Sequence, residues 1–419
     1  MKGLNRIQSR SAVPYMARVP KGFTAASGSG EVNVSLEVER VGDRSRFHAL
    51  EMEWRDLVAD STANEIFLTW EWLHTWWECL AGNRRLLLLV VRQGQRLVGI
   101  APLCIAPASL SRGLPFRRIE FLGSGIVGSD YLDLIARRGF ERAVAEAVAG
   151  HLRGLRCVLM FSGVESGSET MRHMTSSLAQ GGWSVYRTAT ERCPYVDTTG
   201  VNWGEYQRSL GKMHRETGRR KRRRANDKYA IRYRQVDTEE SRQEVFPEWI
   251  ALHTRRWELA GGTQAVPDDA VRAFHDRLTA MALERGWLRL SVLEFDGLPA
   301  ASVYGFIYSG KYYFYQTGYD PAFGRFSPGI MCLEHSLENA LEEGVSEFDF
   351  LHGTEGYKFI YARQMRDLVR YTCTPPGVSG AGFRGVLGAR RAARRVLGRA
   401  DAAREEQVLV STGSGDLCQ

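Results

Sequence analysis

Residues 287–320, WLRLSVLEFDGLPAASVYGFIYSGKYYFYQTGYD, most narrow what this chain can become. Apolar and polar residues alternate with a period of two. The alternation breaks at Asp296-Gly297 and Ser309-Gly310, dipeptides that favour tight hairpin turns. The stretch therefore predicts a meander of three strands. Residues 244–259 and 268–286 precede it with helical periodicity. FSPGIMCLEHSLENALEEG follows as a helix, and SEFDFLHG as a strand.

The same order stands earlier in the chain. Residues 49–60 and 69–81 read as helices, the second carrying Trp70, Trp72, Trp76 and Trp77 on a dense aromatic face. Residues 85–106 read as two strands turning at Gln93-Gly94, and 116–123 as another strand. A helix at 140–152 leads to the strand CVLMFSGV, a helix near 168–181 and strands around 183–188. Helices, hairpin, helix and strand thus occur twice, which suggests two copies of one α/β unit. The expected organisation is a loose leader through residue 33, a first lobe at 34–200, and a second lobe at 201–375 entered by a basic helix. A flexible basic tail at 376–419 completes it, with a short amphipathic helix around 386–399.

A chain of 419 residues with 44% hydrophobic and 25% charged composition supports cores of ordinary size. Its seven cysteines are odd in number and scattered, with no CxxC pair, which argues against a disulfide framework and against a metal site. No apolar run approaches the roughly 20 residues of a membrane span. The first thirty residues carry five basic groups and lack the apolar core of a secretory signal. These features predict a cytoplasmic protein.

The formal net charge is +8, and residues 212–228 carry nine Lys/Arg against two acids, a net +7. The basic character is therefore local. No helix-turn-helix, zinc finger or RNA-binding signature accompanies the run GRRKRRR, and only Tyr229 and Tyr233 stand near it as stacking residues, so DNA is not an expected partner. Two readings remain: a solvated or lobe-bridging helix face, and a contact with a polyanion such as tRNA, a nucleotide-sugar phosphate or an anionic lipid surface.

Two segments carry the chemistry. In GRFSPGIMCLEH, Ser327 fits a helix N-cap, Pro328 the first turn, and Gly329 a close backbone approach by a ligand. The helix would follow a strand directly, so its N-terminus is an anion site, with Arg325 available for a charge-assisted contact. Cys332 fits the core face. In FDFLHGTEGYKF, Asp349, His352, Glu355, Tyr357 and Lys358 cluster at a strand end. With Phe348 and Phe350 facing the core, Asp349 faces the other way. A plain capped helix and a polar turn are the bland alternatives for each segment alone.

Together, the meander, the SPG loop and helix, and FDFLHGTEGYK resemble the GNAT acyltransferase superfamily. More closely they are similar to the branch of cellulose-biosynthesis-associated acetyltransferases, relatives of the Fem-type aminoacyltransferases. FLTWEWLHTWW (67–77), SDYLDLI (129–135) and LHTRRWELAGG (252–262) extend the resemblance over about 35–375. It implies two GNAT-like lobes, each a mixed, mostly antiparallel sheet flanked by helices, with catalysis in the second, and a Lys/Arg-rich helix leading into it. It implies acyl-CoA, acetyl-CoA above all, as co-substrate, held by Arg325, Ser327, Gly329 and Ile330. The loop departs from the family's glycine-rich pattern in its proline, which has no N–H to donate.

The expected reaction is direct transfer of an acyl group to an amine or hydroxyl of a sugar, polysaccharide or cell-envelope precursor, in the cytoplasm or at the inner membrane face. Asp349, His352 or Glu355 would serve as base, and Tyr357 as proton donor. Lys358 would grip a phosphate or the acceptor, with His253, Arg256 and Trp257 lining the acceptor cleft. GSGIVGSDYLDL (123–134) offers Asp130 and Asp133 for acceptor binding, or a purely structural first lobe. Transfer from aminoacyl-tRNA and a non-catalytic adaptor role in polysaccharide synthesis are the competing readings.

Overall fold

The computed structural model describes residues 35–109, 115–259, 268–353, 355–378, 380–389 and 392. The expected leader, and the tail beyond 392, lie outside them. Among the described residues, thirteen strands share one sheet. In chain order they are β1 (Leu36–Val41), β2 (Arg85–Gln93), β3 (Arg96–Ala106), β4 (Arg118–Phe121), β5 (Ile135–Ala136), β6 (Val158–Glu165), β7 (Ser184–Asp197), β8 (Ile231–Gln235), β9 (Leu288–Phe295), β10 (Leu298–Tyr308), β11 (Lys311–Tyr319), β12 (Glu347–Asp349) and β13 (Gln364–Thr374). The meander forms as its turn residues demand. Asp296 and Gly297 take φ of 51° and 78°, and Ser309 and Gly310 take 50° and 77°, the left-handed pairs that a two-residue hairpin needs.

The spatial order is β1-β2-β3-β4-β6-β13-β7-β12-β11-β10-β9-β8, with β5 pairing off β3. The last strand of each half has changed places. β13 lies beside β6, and β7 lies beside β12. The two exchanged strands pair antiparallel with each other from Gln364↔Tyr195 to Thr374↔Ser184. Each half is thus closed by the other's strand, and the sheet runs through both. A single buried cluster accordingly joins Trp54, Trp72, Leu89 and Phe161 of the first half to Trp249, Phe274, Leu290 and Tyr304 of the second. The tryptophans of Trp70–Leu80 pack inward; Trp72 meets Phe274 and Phe306 edge-on at 5.4 and 5.9 Å.

Two neighbouring pairs are parallel. β4 pairs β6 only at Arg118↔Val158 and Ile119↔Leu159, and β11 pairs β12 only at Lys311↔Glu347 through Tyr313↔Asp349. Past these contacts the strands part. Near the chain end, residues 380–389 are helical, overlapping the short helix expected around 386–399. Phe383, Val386 and Leu387 pack on Phe116 and Val158, so an apolar stripe fixes the segment.

Candidate active site

Where β11 leaves β12, a cavity of about 360 Å³ opens. It is lined by Arg256, Phe314, Thr317, Tyr319, Gly324, Ser327, Pro328, Gly329, Ile330, Leu333, Glu355 and Tyr357. One wall is the far half of β11. The opposite wall is the loop after β12, and the helix Pro328–Glu342 closes the third side. Phe348 and Phe350 are buried toward this helix. Asp349 faces the other way, as strand alternation requires.

The SPG turn differs from expectation. Ser327 stands just before the helix, but with φ 54° and ψ 55° its hydroxyl does not cap it. Instead the hydroxyl accepts a hydrogen bond from Lys221 Nζ at 2.6 Å. The N–H of Ser327 is bonded to Gly324 O, and those of Ile330 and Met331 to Ser327 O. Pro328 has none. Gly329 is left as the amide donor of this turn. A Cβ on Gly329 would come no closer than 3.7 Å to Tyr319, so the glycine is not a steric necessity for the fold. Arg325 is exposed, its guanidinium 4.7 Å from the Phe326 ring, and it stands outside the cavity wall.

On the opposite wall, Lys358 is buried. It donates from Nζ to His352 O at 2.7 Å and pairs with Glu355 at 3.1 Å. It therefore clamps the loop rather than reaching for a ligand. Burial raises the Glu355 carboxyl, but the Lys358 ammonium outweighs it and leaves the group below its ordinary value. Burial holds the Tyr357 phenol well above its ordinary value, so it keeps its proton at neutral pH. Arg256 donates to Thr317 O at 2.9 Å and lies 3.8 Å from Glu355.

His253 is buried, with Nε2 3.0 Å from Gln316 Oε1, and does not line the cavity. Trp257 falls on the helix Glu239–Leu259, but its side chain lies outside the described residues. Cys332 is fully buried and its thiol is pushed up to about 12 by burial, as suits a core residue.

The first half supplies what the sequence did not reveal. Asp130 accepts from His352 N at 2.9 Å and lies 2.9 Å from His352 Nδ1, across 222 positions of chain. Tyr131 donates to Asp349 Oδ2 at 2.6 Å. Asp349 is inaccessible, and burial pushes it up to about 7 against the hydrogen bonds from Tyr131 and Leu351 N. This makes it a poor candidate for contact with an acceptor. His352 keeps an exposed ring edge, its side chain 42% accessible. Its hydrogen bond and charge contact with Asp130 raise its proton affinity, with Glu191 assisting and burial and Lys358 opposing. The signal available in the sequence was the pair of motifs themselves. SDYLDLI and FDFLHG meet at Asp130–His352 and Tyr131–Asp349, and nothing in their spacing announces it.

The open cleft between β11 and the loop after β12, with a helix N-terminus at its mouth, is the candidate site. Residues 212–359 match the family model for an acetyltransferase (GNAT) domain. No curated protein matches the chain. Among solved structures, FemX is similar at 11% identity and TM-score 0.55, over 80% of this chain and 96% of that one. A conserved protein of unknown function from Bacteroides thetaiotaomicron VPI-5482 is similar at 12% identity and TM-score 0.50, over 77% and 97%. A tandem GNAT protein from the clavulanic acid biosynthesis pathway aligns at 14% identity and TM-score 0.46, over 82% and 100%. The likeness to a GNAT acetyltransferase domain thus lies in residues 212–359, within one mixed, mostly antiparallel sheet flanked by helices.

Proposed function

We propose that the second half, 201–375, transfers an acyl group from acyl-CoA, acetyl-CoA first, to an amine or hydroxyl of a sugar or cell-envelope precursor. The observation that carries this is the open wedge between β11 and the loop after β12, with its Gly329 N–H and apolar floor of Phe314 and Leu333. The residues fit such a donor: a slot for a slender chain, and cations at its mouth. Bound there, acyl-CoA supplies an acyl group already activated as a thioester.

The chain's own part is positioning and proton transfer. His352, held through Nδ1 by Asp130, presents Nε2 to take a proton from the acceptor, and Asp130 balances the charge that results. Tyr357, kept protonated, stands in the wall as a proton donor at its phenolic oxygen. Glu355 is fixed by Lys358 and Arg256 to orient the acceptor. The test is thiol release from acetyl-CoA across a panel of aminosugars, polyamines and polysaccharide fragments. Turnover should depend on His352, and unchanged rates in both His352→Ala and Glu355→Gln would sink the base assignment.

A second reading, transfer from aminoacyl-tRNA, is favoured by one observation: Arg219, Arg220, Arg223 and Arg224 are all exposed on the lead-in helix. It predicts tRNA binding that weakens steeply with salt and no stabilisation by any acyl-CoA. Placement of the protein at the inner membrane face and a role in cellulose synthesis belong to the same proposal. Among the described residues no helix is long and apolar enough to cross a membrane.

A further inference from the structure

The basic helix Lys212–Asn226 has one face docked and one exposed. Ala225 is fully buried, Arg222 pairs with Glu334 at 2.9 Å, and His214 Nε2 lies 2.9 Å from Tyr361 OH and 3.6 Å from Glu334. A Cβ on Gly218 would lie 3.7 Å from Glu334 Oε1, so the helix sits close against Pro328–Glu342. The charge of Arg222 is spent on Glu334. That of Lys221 is not. Half-buried at the cavity mouth, Lys221 meets the neutral hydroxyl of Ser327, a cavity-lining residue, and forms no ion pair among the described residues. Arg325, two positions before Ser327, likewise lacks a carboxylate partner among the described residues and rests over Phe326.

Two uncompensated cations thus flank a turn whose proline and self-bonded amides leave it poor in N–H donors. A phosphate bound there needs several donors, and the backbone offers that of Gly329.

We infer that Lys221, from the lead-in helix, is a phosphate-binding residue of the donor site, replacing the amides that the SPG turn does not provide. Ser327 holds Lys221 Nζ at the mouth until a phosphate of the nucleotide end of the donor takes it. The docked face of the basic helix is therefore part of the donor site, and only its outer arginines remain for other partners. This rests on the acyl-CoA reading above, and the experiment separates the two.

Binding of coenzyme A and of pantetheine, which lacks the phosphates, is titrated by thermal shift for wild type, Lys221→Gln and Lys221→Arg. Loss of one charge-assisted contact should weaken coenzyme A binding about tenfold or more in Lys221→Gln. Pantetheine binding should be unchanged, and Lys221→Arg should recover most of the loss. Equal weakening toward both ligands would show that Lys221 acts by shaping the loop, and would overturn the inference. Unchanged coenzyme A affinity in Lys221→Gln would overturn it too. Failure of coenzyme A to bind wild type would remove the acyl-CoA reading itself, and the inference with it.

Discussion

The two parallel strand pairs of the sheet begin alike and end differently. In the first half, β4 stops at Phe121 and the notch beside β6 is occupied by the chain itself. Leu132 N–H bonds to Gly163 O at 2.9 Å, and Trp72 Nε1 donates to Ser129 Oγ at 2.9 Å. Gly163 is required there: its φ is 72°, and a Cβ would stand 2.9 Å from Ser129 O. In the second half the notch beside β12 stays open and forms the cavity. The segment that fills the first notch, 129–132, is also the one that sends Asp130 to His352 and Tyr131 to Asp349. The half whose notch is filled thus supports the open notch of the other.

That comparison can be broken in order of effect. His352→Ala should lower turnover by about 10²- to 10⁴-fold, the usual worth of a general base, with circular dichroism unchanged. Asp130→Asn removes the charge that raises His352. The alkaline-rising limb of the rate profile should therefore move to lower pH, on a lower plateau; a uniform loss with no shift would mean that Asp130 is only structural.

Gly163→Ala should destabilise the fold by about 1–3 kcal/mol, since the new methyl group meets backbone at a left-handed position, while Gly329→Ala should be close to neutral. Denaturant titration of the two variants compares the notches directly. Asp349→Asn is read in the pH dependence of stability. The folded carboxyl titrates near 7, above its ordinary value, so its contribution to stability is full below the unfolded pKa and is lost as pH rises toward and through 7. The variant should flatten the fall in stability between about pH 4 and 7, a slope of at most about 1.4 kcal/mol per pH unit.

Much of this was legible in the sequence. The meander, its two left-handed turns, the helix after SPG and the inward pair Phe348 and Phe350 all follow from local period and turn chemistry. The cavity-lining Ser327, Gly329, Ile330, Arg256, Glu355 and Tyr357 come from segments the sequence marked. What local pattern could not carry was long-range pairing. The exchange of β7 and β13 is decided by which strand completes which sheet edge, and both are equally strand-like. Lys358 and His253 look like surface polar residues in a string of letters, yet tertiary packing buries both. Asp130 meets His352 only because the filled notch brings its loop to the seam.

On this reading the second notch holds the donor. That placement is tested most directly by the melting temperature of wild type and Gly329→Trp with and without acetyl-CoA. A ligand that binds only the folded state must raise the transition, and an indole at Gly329 would fill the wedge without touching the first half. A donor seated in the wedge raises the transition of wild type, increasingly with ligand concentration, and leaves that of the variant unchanged. An equal rise in both would place the donor elsewhere, and no rise in either would contradict an acyl-CoA donor.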